Sequence, residues 1–320
     1  MDPRKKKKIM ATLSAIAVLL VLAAIFAVPA GIRIVRAAYT IPRGSRAIPE
    51  TMREAIGPGG IPVKFPTKDG EIVPGWYKPG AKPAAIIILH GLGGTRAQLA
   101  GIARHIHKEG YGILLIDQSG HGEHTRDITT FGRAESWDAL AAIDWLRNRP
   151  EIDPERIGLY GASMGAATSI YTASEDPRLA CVVADSSYAT FESQAYHDLT
   201  TNRAMKLAHQ TNRTASISVP EPFQPSFVWI FKNLSGSVIG EWASWPDPVD
   251  VIGKIKCPLF LIHGECDERI DASNLDDLAS AAREAGVDVQ TWKVKDEGHC
   301  LYHETDEFLN RVTDFFRRNL

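Results

Sequence analysis

The strongest indication of the fold of this chain is the segment at residues 157–167, Ile-Gly-Leu-Tyr-Gly-Ala-Ser-Met-Gly-Ala-Ala. Its apolar start, ending at Tyr160, predicts a strand, and the small residues after Gly165 predict a helix. Glycines flank the intervening Ser163, as expected in a sharp turn that leaves no room for Cβ atoms. The pattern predicts that Ser163 is exposed at the apex of this turn, above the strand ends. A serine in an ordinary glycine-rich loop is the alternative.

Apolar strands and amphipathic helices alternate along the rest of the chain. The run at 84–89 is too apolar and β-branched for a surface strand, which predicts a strand buried on both faces of a parallel sheet. The last helix carries Phe308, Val312 and Phe315 at helical spacing. The alternation predicts an α/β fold with a mostly parallel central sheet and helices on both faces. Strands are predicted at 84–89, 112–116, 157–160, 179–184, 258–262 and 289–294, and helices at 96–109, at 134–147, around 275–282 and near the C-terminus.

Two short strands precede this core. The segments 63–65 and 71–73 flank a Lys-Asp-Gly sequence at 68–70, and Asp-Gly between strand-like runs predicts a hairpin. Because Pro66 and Pro74 have no amide hydrogen to donate, both strands are predicted to lie at the edge of the sheet.

Residues 187–250, which we call the cap segment, interrupt the alternation. They hold several prolines, a helix-like patch at 204–210 and many large apolar side chains. An insertion between two strands at the carboxyl edge of the sheet lies over the serine turn, so we predict a helical cap whose apolar side chains line an acyl or apolar pocket. A mobile surface excursion is the alternative. The apolar side chains are Phe191, Phe223, Phe227, Trp229, Ile230, Phe231, Trp242 and Trp245.

Length and composition exclude some classes of protein. The chain has 320 residues, 44% of them hydrophobic, which suits an ordinary α/β enzyme domain. Its net charge of -2 argues against a nucleic-acid partner, which would require a basic face. The four cysteines show no spacing typical of a zinc site, so neither a metal nor another cofactor is predicted.

Ser163 has candidate catalytic partners in two later loops. A serine hydroxyl is a poor nucleophile at neutral pH, so it needs a base and a third group that holds the base. His299 follows the strand at 289–294, and Asp267 follows the strand at 258–262. Both loops are expected at the edge where the serine turn opens. Glu265 and Glu268 are alternatives for the acid.

Three motifs give the chain a resemblance to the α/β-hydrolase superfamily from about residue 63 to its end. They are His-Gly-x-x-Gly at 90–94, Gly-x-Ser-x-Gly at 161–165 and His-Gly-x-x-Asp at 263–267, with the chain order serine, acid, histidine. Within the superfamily the chain resembles the capped serine hydrolases of the serine-aminopeptidase-like and BEM46-like groups. The resemblance implies the fold and a serine nucleophile, but it does not specify a substrate.

The resemblance also implies a role for each site residue. Ser163 attacks the carbonyl carbon, His299 takes and returns the proton, and Asp267 fixes the imidazole and stabilises its cation. The oxyanion is held by the backbone amides of Leu92 and Met164, donors that contribute about 3–4 kcal/mol each. In the family, the histidines at the positions of His90 and His263 brace loops; His121 and His124 are in a loop that can face the site.

The N-terminal segment predicts a membrane anchor. Residues 4–8 are all basic, and the uncharged stretch at 9–32 is long enough to cross a bilayer, which takes about 20 apolar residues. A cleaved signal peptide is the alternative, although its apolar core would be shorter. The leading basic cluster predicts a cytoplasmic N-terminus and an extracytoplasmic catalytic domain. The predicted organisation is an anchor at 1–37, a tether at 38–60 with a short helix around 50–56, and an α/β-hydrolase domain at 61–320.

Together these features predict a membrane-anchored serine hydrolase that cleaves carboxylic esters or thioesters through an acyl-enzyme intermediate. Amide or peptide cleavage and acyl transfer to an alcohol use the same residues and stay open. A non-catalytic receptor for a small apolar ligand is a further alternative, and the oligomeric state is not predicted.

Two smaller expectations concern other polar residues. Glu135 and Asp138 are expected on the solvated start of a helix. Cys266 precedes the proposed acid and Cys300 follows the proposed base, so they either form a disulfide between the two loops or stay free thiols.

Overall fold

A computed structural model gives the fold. It describes residues 56–200 and 221–320, together with residues 5, 10, 12, 14, 25, 27–33, 35–40 and 48. The predicted short helix around 50–56 and the predicted helix at 204–210 therefore lie wholly or largely outside the described residues.

The described residues form one eight-stranded sheet with strand order β1-β2-β4-β3-β5-β6-β7-β8. The six strands from β4 to β8 in this order are parallel, while β1 and β2 run antiparallel to their neighbours. Every residue of β3, β4, β5 and β6 is buried, as expected for strands covered on both faces. The mostly parallel sheet is confirmed. The strands are β1 (Ile61–Pro66), β2 (Ile72–Lys78), β3 (Ala85–Leu89), β4 (Gly112–Ile116), β5 (Ile157–Ala162), β6 (Cys181–Asp185), β7 (Leu259–Gly264) and β8 (Val289–Val294).

Helices cover both faces of the sheet. One apolar cluster joins one face to side chains such as Ile143, Ile170 and Leu275, and a second joins the other face to Ile102 and Phe308. The packing of each helix's apolar stripe against the sheet fixes the layered α/β architecture. The helices are α1 (Ala100–Lys108), α2 (Glu135–Arg147), α3 (Met164–Glu175), α4 (Phe191–Thr200), α5 (Gln224–Ile239), α6 (Pro248–Val251), α7 (Ser273–Glu284) and α8 (Asp306–Asn319).

The hairpin is confirmed, but the prediction that both of its strands lie at an edge is wrong. β1 is the edge strand, whereas β2 lies between β1 and β4. Pro74 is tolerated because the pairing of β2 with β4 begins at Gly75, one residue later. Its missing amide hydrogen therefore interrupts no bond on the β4 side.

The first helix begins at Ala100, four residues later than predicted. Arg96 belongs to the preceding turn, where its amide donates to Asp117 Oδ1 at 2.8 Å and its guanidinium contacts Asp117 Oδ2 at 2.6 Å. This buried ion pair ties the loop after β3 to the loop after β4.

The cap segment contributes α4, α5 and α6 between β6 and β7. Phe191 and Phe231 stack with ring centroids 6.2 Å apart. Phe223, Trp229 and Ile230, by contrast, are 63%, 67% and 48% exposed, so the expectation that all these apolar side chains are buried is wrong. Phe223 lies in the turn before α5, and Trp229 and Ile230 lie on the exposed side of α5.

The N-terminal region is described in part. Residues 27–33 and 35–38 are helical, and Val35 and Tyr39 are buried against the domain. No helix among the described residues is both long and apolar enough to cross a membrane. Most of the stretch 9–32 lies outside the described residues, so the anchor stays a prediction, as do the boundaries of the anchor, tether and domain.

Glu135 and Asp138 are fully buried, so the expectation that they lie on a solvated helix start is wrong. Glu135 accepts hydrogen bonds from the side chains of Thr129 and Thr130 and from the amides of Thr130 and Gly132, at 2.6–2.9 Å. The sequence spacing resembled an exposed first turn, but the loop before α2 folds over the carboxylate.

Replacing Glu135 by Ala should destabilise the protein by about 3 kcal/mol, because four donors lose their acceptor in a buried site. Urea unfolding monitored by circular dichroism measures the change. Asp277→Ala, at an exposed position in the middle of α7, is the matched control and should shift the free energy of unfolding by less than about 0.5 kcal/mol. Equal effects of the two variants would contradict a structural role for Glu135.

Candidate active site

Ser163 occupies a sharp turn between β5 and α3. Its φ of 57° lies in the left-handed region that non-glycine residues seldom adopt. Its amide donates to the carbonyl of Asp185 at the end of β6, over 2.7 Å. A Cβ at Gly161 would collide with the carbonyl of Gly165, and one at Gly165 would collide with that of Leu89. The two glycines therefore let α3 approach the sheet closely enough to hold the strained serine.

The His90 loop lies directly against Ser163. A Cβ added to Gly91 would be 3.3 Å from the Cβ of Ser163, so the loop backbone and the serine side chain are in close contact. Among the described residues no acceptor is found for the amide of Leu92. The amide of Met164, at the first position of α3, has no acceptor within its helix. Both predicted oxyanion donors thus border the serine with their hydrogens unused.

His90 is completely buried and braces this loop. Its Nδ1 hydrogen is donated to the carbonyl of Gly91 at 2.8 Å, and its Nε2 accepts from the amide of Gln118 at 3.1 Å. Burial lowers the pKa of His90 to about 4, so the ring is neutral at physiological pH. These contacts agree with the predicted bracing role.

His299 and Asp267 form a close imidazole–carboxylate pair. Nδ1 of His299 lies 2.6 Å from Oδ2 of Asp267, and the carboxylate also accepts from the amides of Arg269 and Ile270. His263 contacts the same carboxylate at 3.2 Å and the carbonyl of Ile270 at 2.9 Å, which braces the acid loop. Burial raises the pKa of Asp267, but the hydrogen bonds from His263 and His299 outweigh it and hold the pKa well below its usual value. Asp267 is therefore ionised behind His299.

Ser163 and His299 line one cleft of about 690 Å³ at the carboxyl ends of the strands. In the described part of the chain, no hydrogen bond joins the serine hydroxyl to the imidazole. Such contacts are often long in the absence of substrate. The cleft is lined by Gly91, Leu92, Gln98, Leu99, Ala162, Ser163, Cys266, Glu268, Arg269, Gly298, His299, Cys300, Leu301 and His303.

The prediction that aromatic side chains of the cap line the pocket is wrong for the described residues. The cleft is bounded instead by the loops after β3, β5, β7 and β8, and six of its lining side chains are polar or charged: Gln98, Ser163, Glu268, Arg269, His299 and His303. Phe191 and Phe231 of the cap stack on each other, and their rings also contact Phe131 and Tyr39. These contacts remove part of the apolar surface of both side chains from water.

The alternatives for the acid and for the cysteines are also resolved in the geometry. Of the three acidic residues at 265–268, Asp267 contacts His299, whereas Glu265 accepts from the amide of Asp296 and Glu268 borders the cleft. Cys266 and Cys300 are free thiols, so a disulfide between the two loops is not formed. The Cys300 thiol is instead near Asp185, whose charge adds to burial in raising the pKa of that thiol well above its usual value.

The histidines of the loop after β4 serve structure. His121 accepts from the amide of Gly93 at 3.0 Å and contacts the carbonyl of Ser119 at 2.8 Å. His124 contacts the buried carboxylate of Asp138 at 3.0 Å and does not line the cleft. Both rings thus hold the loop over the His90 turn.

The sequence analysis missed a second group of polar residues beside the cleft. Asp185 is fully buried at the end of β6, and its carboxylate accepts from Tyr160, Tyr302 and His303. Burial raises the pKa of Asp185, but the interaction with His303 and the hydrogen bonds from Tyr302 and Tyr160 outweigh it and leave the pKa below its usual value. A signal was available: Asp185 directly follows an apolar strand, as Asp267 nearly does.

Asp185, Cys300 and His303 also place three potential metal ligands within 4.8 Å of one another. The carboxylate is already paired with protein donors, so its burial is accounted for by hydrogen bonds within the protein.

Comparisons with known proteins agree with this geometry. The sequence model of a family described as alpha/beta hydrolase fold matches residues 84–225. An uncharacterized protein of Mycobacterium tuberculosis is 32% identical over 152 residues, covering 47% of this chain and 53% of that protein. The quorum-quenching protein AidA of Acinetobacter baumannii is 31% identical over 157 residues, covering 46% of this chain and 51% of the relative. The match spans about half the length of these curated relatives.

A solved structure extends the likeness over most of the chain. The esterase Pf2001 of Pyrococcus furiosus matches with a TM-score of 0.63 and 27% identity, covering 81% of this chain and 90% of the esterase. The chain has the alpha/beta hydrolase fold, in agreement with the resemblance that its three motifs carry.

The Asp267→Asn variant should change how stability depends on pH. A carboxylate whose folded pKa is lowered stabilises the protein above its unfolded pKa, near 3.8, and this contribution is lost as the pH falls through the folded value. The variant should therefore be less stable than the wild type at pH 7, and the gap should narrow below about pH 4. Urea midpoints of both proteins between pH 7 and pH 3 test this, and a gap that stays constant would contradict the assigned ionisation.

Proposed function

We propose that Ser163, His299 and Asp267 form a catalytic triad that cleaves carboxylic esters or thioesters through an acyl-enzyme intermediate. The observation that carries the proposal is the 2.6 Å contact between His299 and Asp267 in a cleft that also holds the strained Ser163. A buried, ionised carboxylate behind an imidazole fixes the tautomer of that ring and holds the ring in place. The ring nitrogen Nε2 is then the one that accepts the serine proton.

The proposed reaction has two steps. In the first, the Ser163 hydroxyl oxygen bonds to the acyl carbon, its proton passes to His299, and His299 protonates the leaving alcohol or thiol. In the second, water gives a proton to His299, bonds to the acyl carbon and releases the serine, which recovers that proton. The amides of Leu92 and Met164 hold the oxyanion in both steps.

Amide or peptide cleavage is the second candidate. Glu268 lines the cleft, and a carboxylate there can bind the ammonium group of an aminoacyl substrate. The polar and charged residues in the lining of the cleft favour amide or peptide cleavage. The apolar pocket expected from the sequence would have favoured it less. Ester cleavage ranks first because an ester leaving group needs less protonation than an amine does.

We also propose that residues 9–32 anchor the protein in a membrane, with the N-terminus in the cytoplasm and the catalytic domain outside it. The basic run at 4–8 and the uncharged stretch that follows support this arrangement.

Ser163→Ala should abolish covalent labelling by a fluorophosphonate probe and lower ester hydrolysis by at least about a thousandfold. Ser174→Ala, near the other end of α3, is the matched control and should label and hydrolyse as the wild type does. Gel fluorescence and a p-nitrophenyl butyrate assay provide the two measurements. Activity that persists in Ser163→Ala would eliminate the mechanism.

A substrate panel should separate esters from amides. We expect p-nitrophenyl esters to be cleaved faster than aminoacyl p-nitroanilides, with a preference for short acyl chains because the cleft is polar. If Glu268 binds an ammonium group, Glu268→Gln should slow the anilides and leave the esters unchanged. Faster cleavage of anilides by the wild type would make the peptidase the better assignment.

The full chain should stay in the membrane pellet after alkaline carbonate extraction. Placing arginine at both Leu20 and Leu22 should release it, since each central charge costs about 3 kcal/mol in a spanning helix. Immunoblotting of the two fractions measures the distribution. A shortened soluble chain from the wild type would favour the cleaved signal peptide.

A further inference from the structure

The cleft contains a second imidazole–carboxylate pair. Nε2 of His303 lies 2.6 Å from Oδ2 of Asp185, the same separation as that between His299 and Asp267. The exposed fractions of the two imidazoles are also similar, 14% for His303 and 10% for His299, and both rings line the cleft. The proposed mechanism uses one of these pairs and leaves the other without a role.

The second pair is attached to the serine turn itself. The carbonyl of Asp185 accepts the amide of Ser163 at 2.7 Å. Tyr160, three residues before the serine on β5, donates to the Asp185 carboxylate at 3.0 Å and contacts His303 Nε2 at 3.1 Å. His303 is therefore fixed relative to the nucleophile through two short links.

The tautomer of His303 follows from its neighbours. An ionised Asp185 can only accept, so the hydrogen of the ring is on Nε2 and is donated to that carboxylate. In the neutral form of the ring, Nδ1 then carries the free lone pair. In the described part of the chain Nδ1 has no hydrogen-bond partner, and His303 is one of the residues that line the cleft.

We propose that His303 is a positioning residue for the hydrolytic water in the second step of the proposed reaction. A water molecule has two hydrogens: one is transferred to His299 and the other is held by Nδ1 of His303. With both hydrogens engaged, a lone pair of the water oxygen is directed at the acyl carbon. The oxygen bonds to that carbon, Ser163 leaves with the proton from His299, and His303 is unchanged at the end.

This arrangement selects water over an alcohol as the acyl acceptor. An alcohol has a single hydroxyl hydrogen, which it must give to His299, so it has none to donate to His303. The acceptor on His303 therefore favours hydrolysis over acyl transfer, two reactions that the triad alone supports equally. The inference rests on the proposed function and adds a preference for one product.

Two substitutions separate positioning from structural support. His303→Gln places an amide nitrogen where Nε2 was, so it keeps a donor to Asp185 but lacks the acceptor at the Nδ1 position. His303→Asn places an amide oxygen near the Nδ1 position and gives up the bond to Asp185. A role in positioning water depends on the acceptor, whereas a purely structural role depends on the bond to Asp185.

The measurement is the partition of the acyl-enzyme between water and methanol. The full-length protein is given p-nitrophenyl butyrate with added methanol, and butyrate and methyl butyrate are quantified by gas chromatography. His303→Gln should raise the methyl ester to acid ratio about tenfold, the scale of one lost hydrogen bond, and slow deacylation relative to the p-nitrophenol burst. His303→Asn should stay within about threefold of the wild-type ratio.

The proposal is overturned if His303→Gln keeps the wild-type ratio, or if His303→Asn shifts the ratio as far as His303→Gln does. Fluorophosphonate labelling of Ser163 is measured on the same samples. A burst and labelling without a change in ratio would reject the role of His303 and leave the triad intact. A wild-type protein without burst or labelling would instead reject the proposed function.

Discussion

The left-handed backbone of Ser163 is the constraint on which the site depends. An isolated serine would leave this conformation, at a gain of about 1–3 kcal/mol, so the surroundings must hold it there. Three contacts do so. The Ser163 amide donates a hydrogen bond to the Asp185 carbonyl, Gly165 packs closely against Leu89, and the His90 loop contacts the serine side chain. The first contact comes from the end of β6, and the other two come from the end of β3 and the loop that follows it. The strands that provide these contacts must therefore be correctly paired before Ser163 can adopt its left-handed backbone conformation.

Three buried carboxylates lie along the same edge of the sheet. Asp117, Asp185 and Asp267 are all buried near the carboxyl ends of the parallel strands β4, β6 and β7, where each is compensated by an arginine, histidines or tyrosines. A buried carboxylate without such partners would be protonated or would destabilise the fold. The compensation joins loops that are distant in sequence, and so the polar network and the geometry of the cleft are one arrangement.

Much of the fold could be predicted from the sequence because its signals are local. Apolar runs predicted the parallel strands, the Asp-Gly turn predicted the hairpin, and the glycines around Ser163 predicted the sharp turn. The pairing of His299 with Asp267 could be anticipated because both follow strands whose carboxyl ends meet. The position of β2 within the sheet could not be predicted, because the order of strands depends on contacts between segments that are distant in the sequence.

The errors at the site have the same origin. Asp185 and His303 are 118 residues apart, and nothing in either segment reveals the other. Glu135 resembled an exposed residue because its first helical turn is polar, yet a loop that the helix pattern does not encode covers it. The aromatic side chains of the cap were expected to line the pocket because apolar surface favours burial. Contacts with other aromatic side chains away from the cleft can bury the same surface.

Tyr39 connects the segment after the N-terminal helix to both layers of the molecule. Its hydroxyl is 3.0 Å from Ser235 on α5, its carbonyl accepts from Thr129, and its ring packs edge-on against Phe131. Residues 38–60 were expected to act as a tether, yet Tyr39, near the start of this segment, packs against the domain. The domain therefore cannot swivel about residue 39, and the direction in which the cleft opens is set relative to the helix that precedes it. A partner that holds that helix would therefore also fix the direction in which the cleft faces.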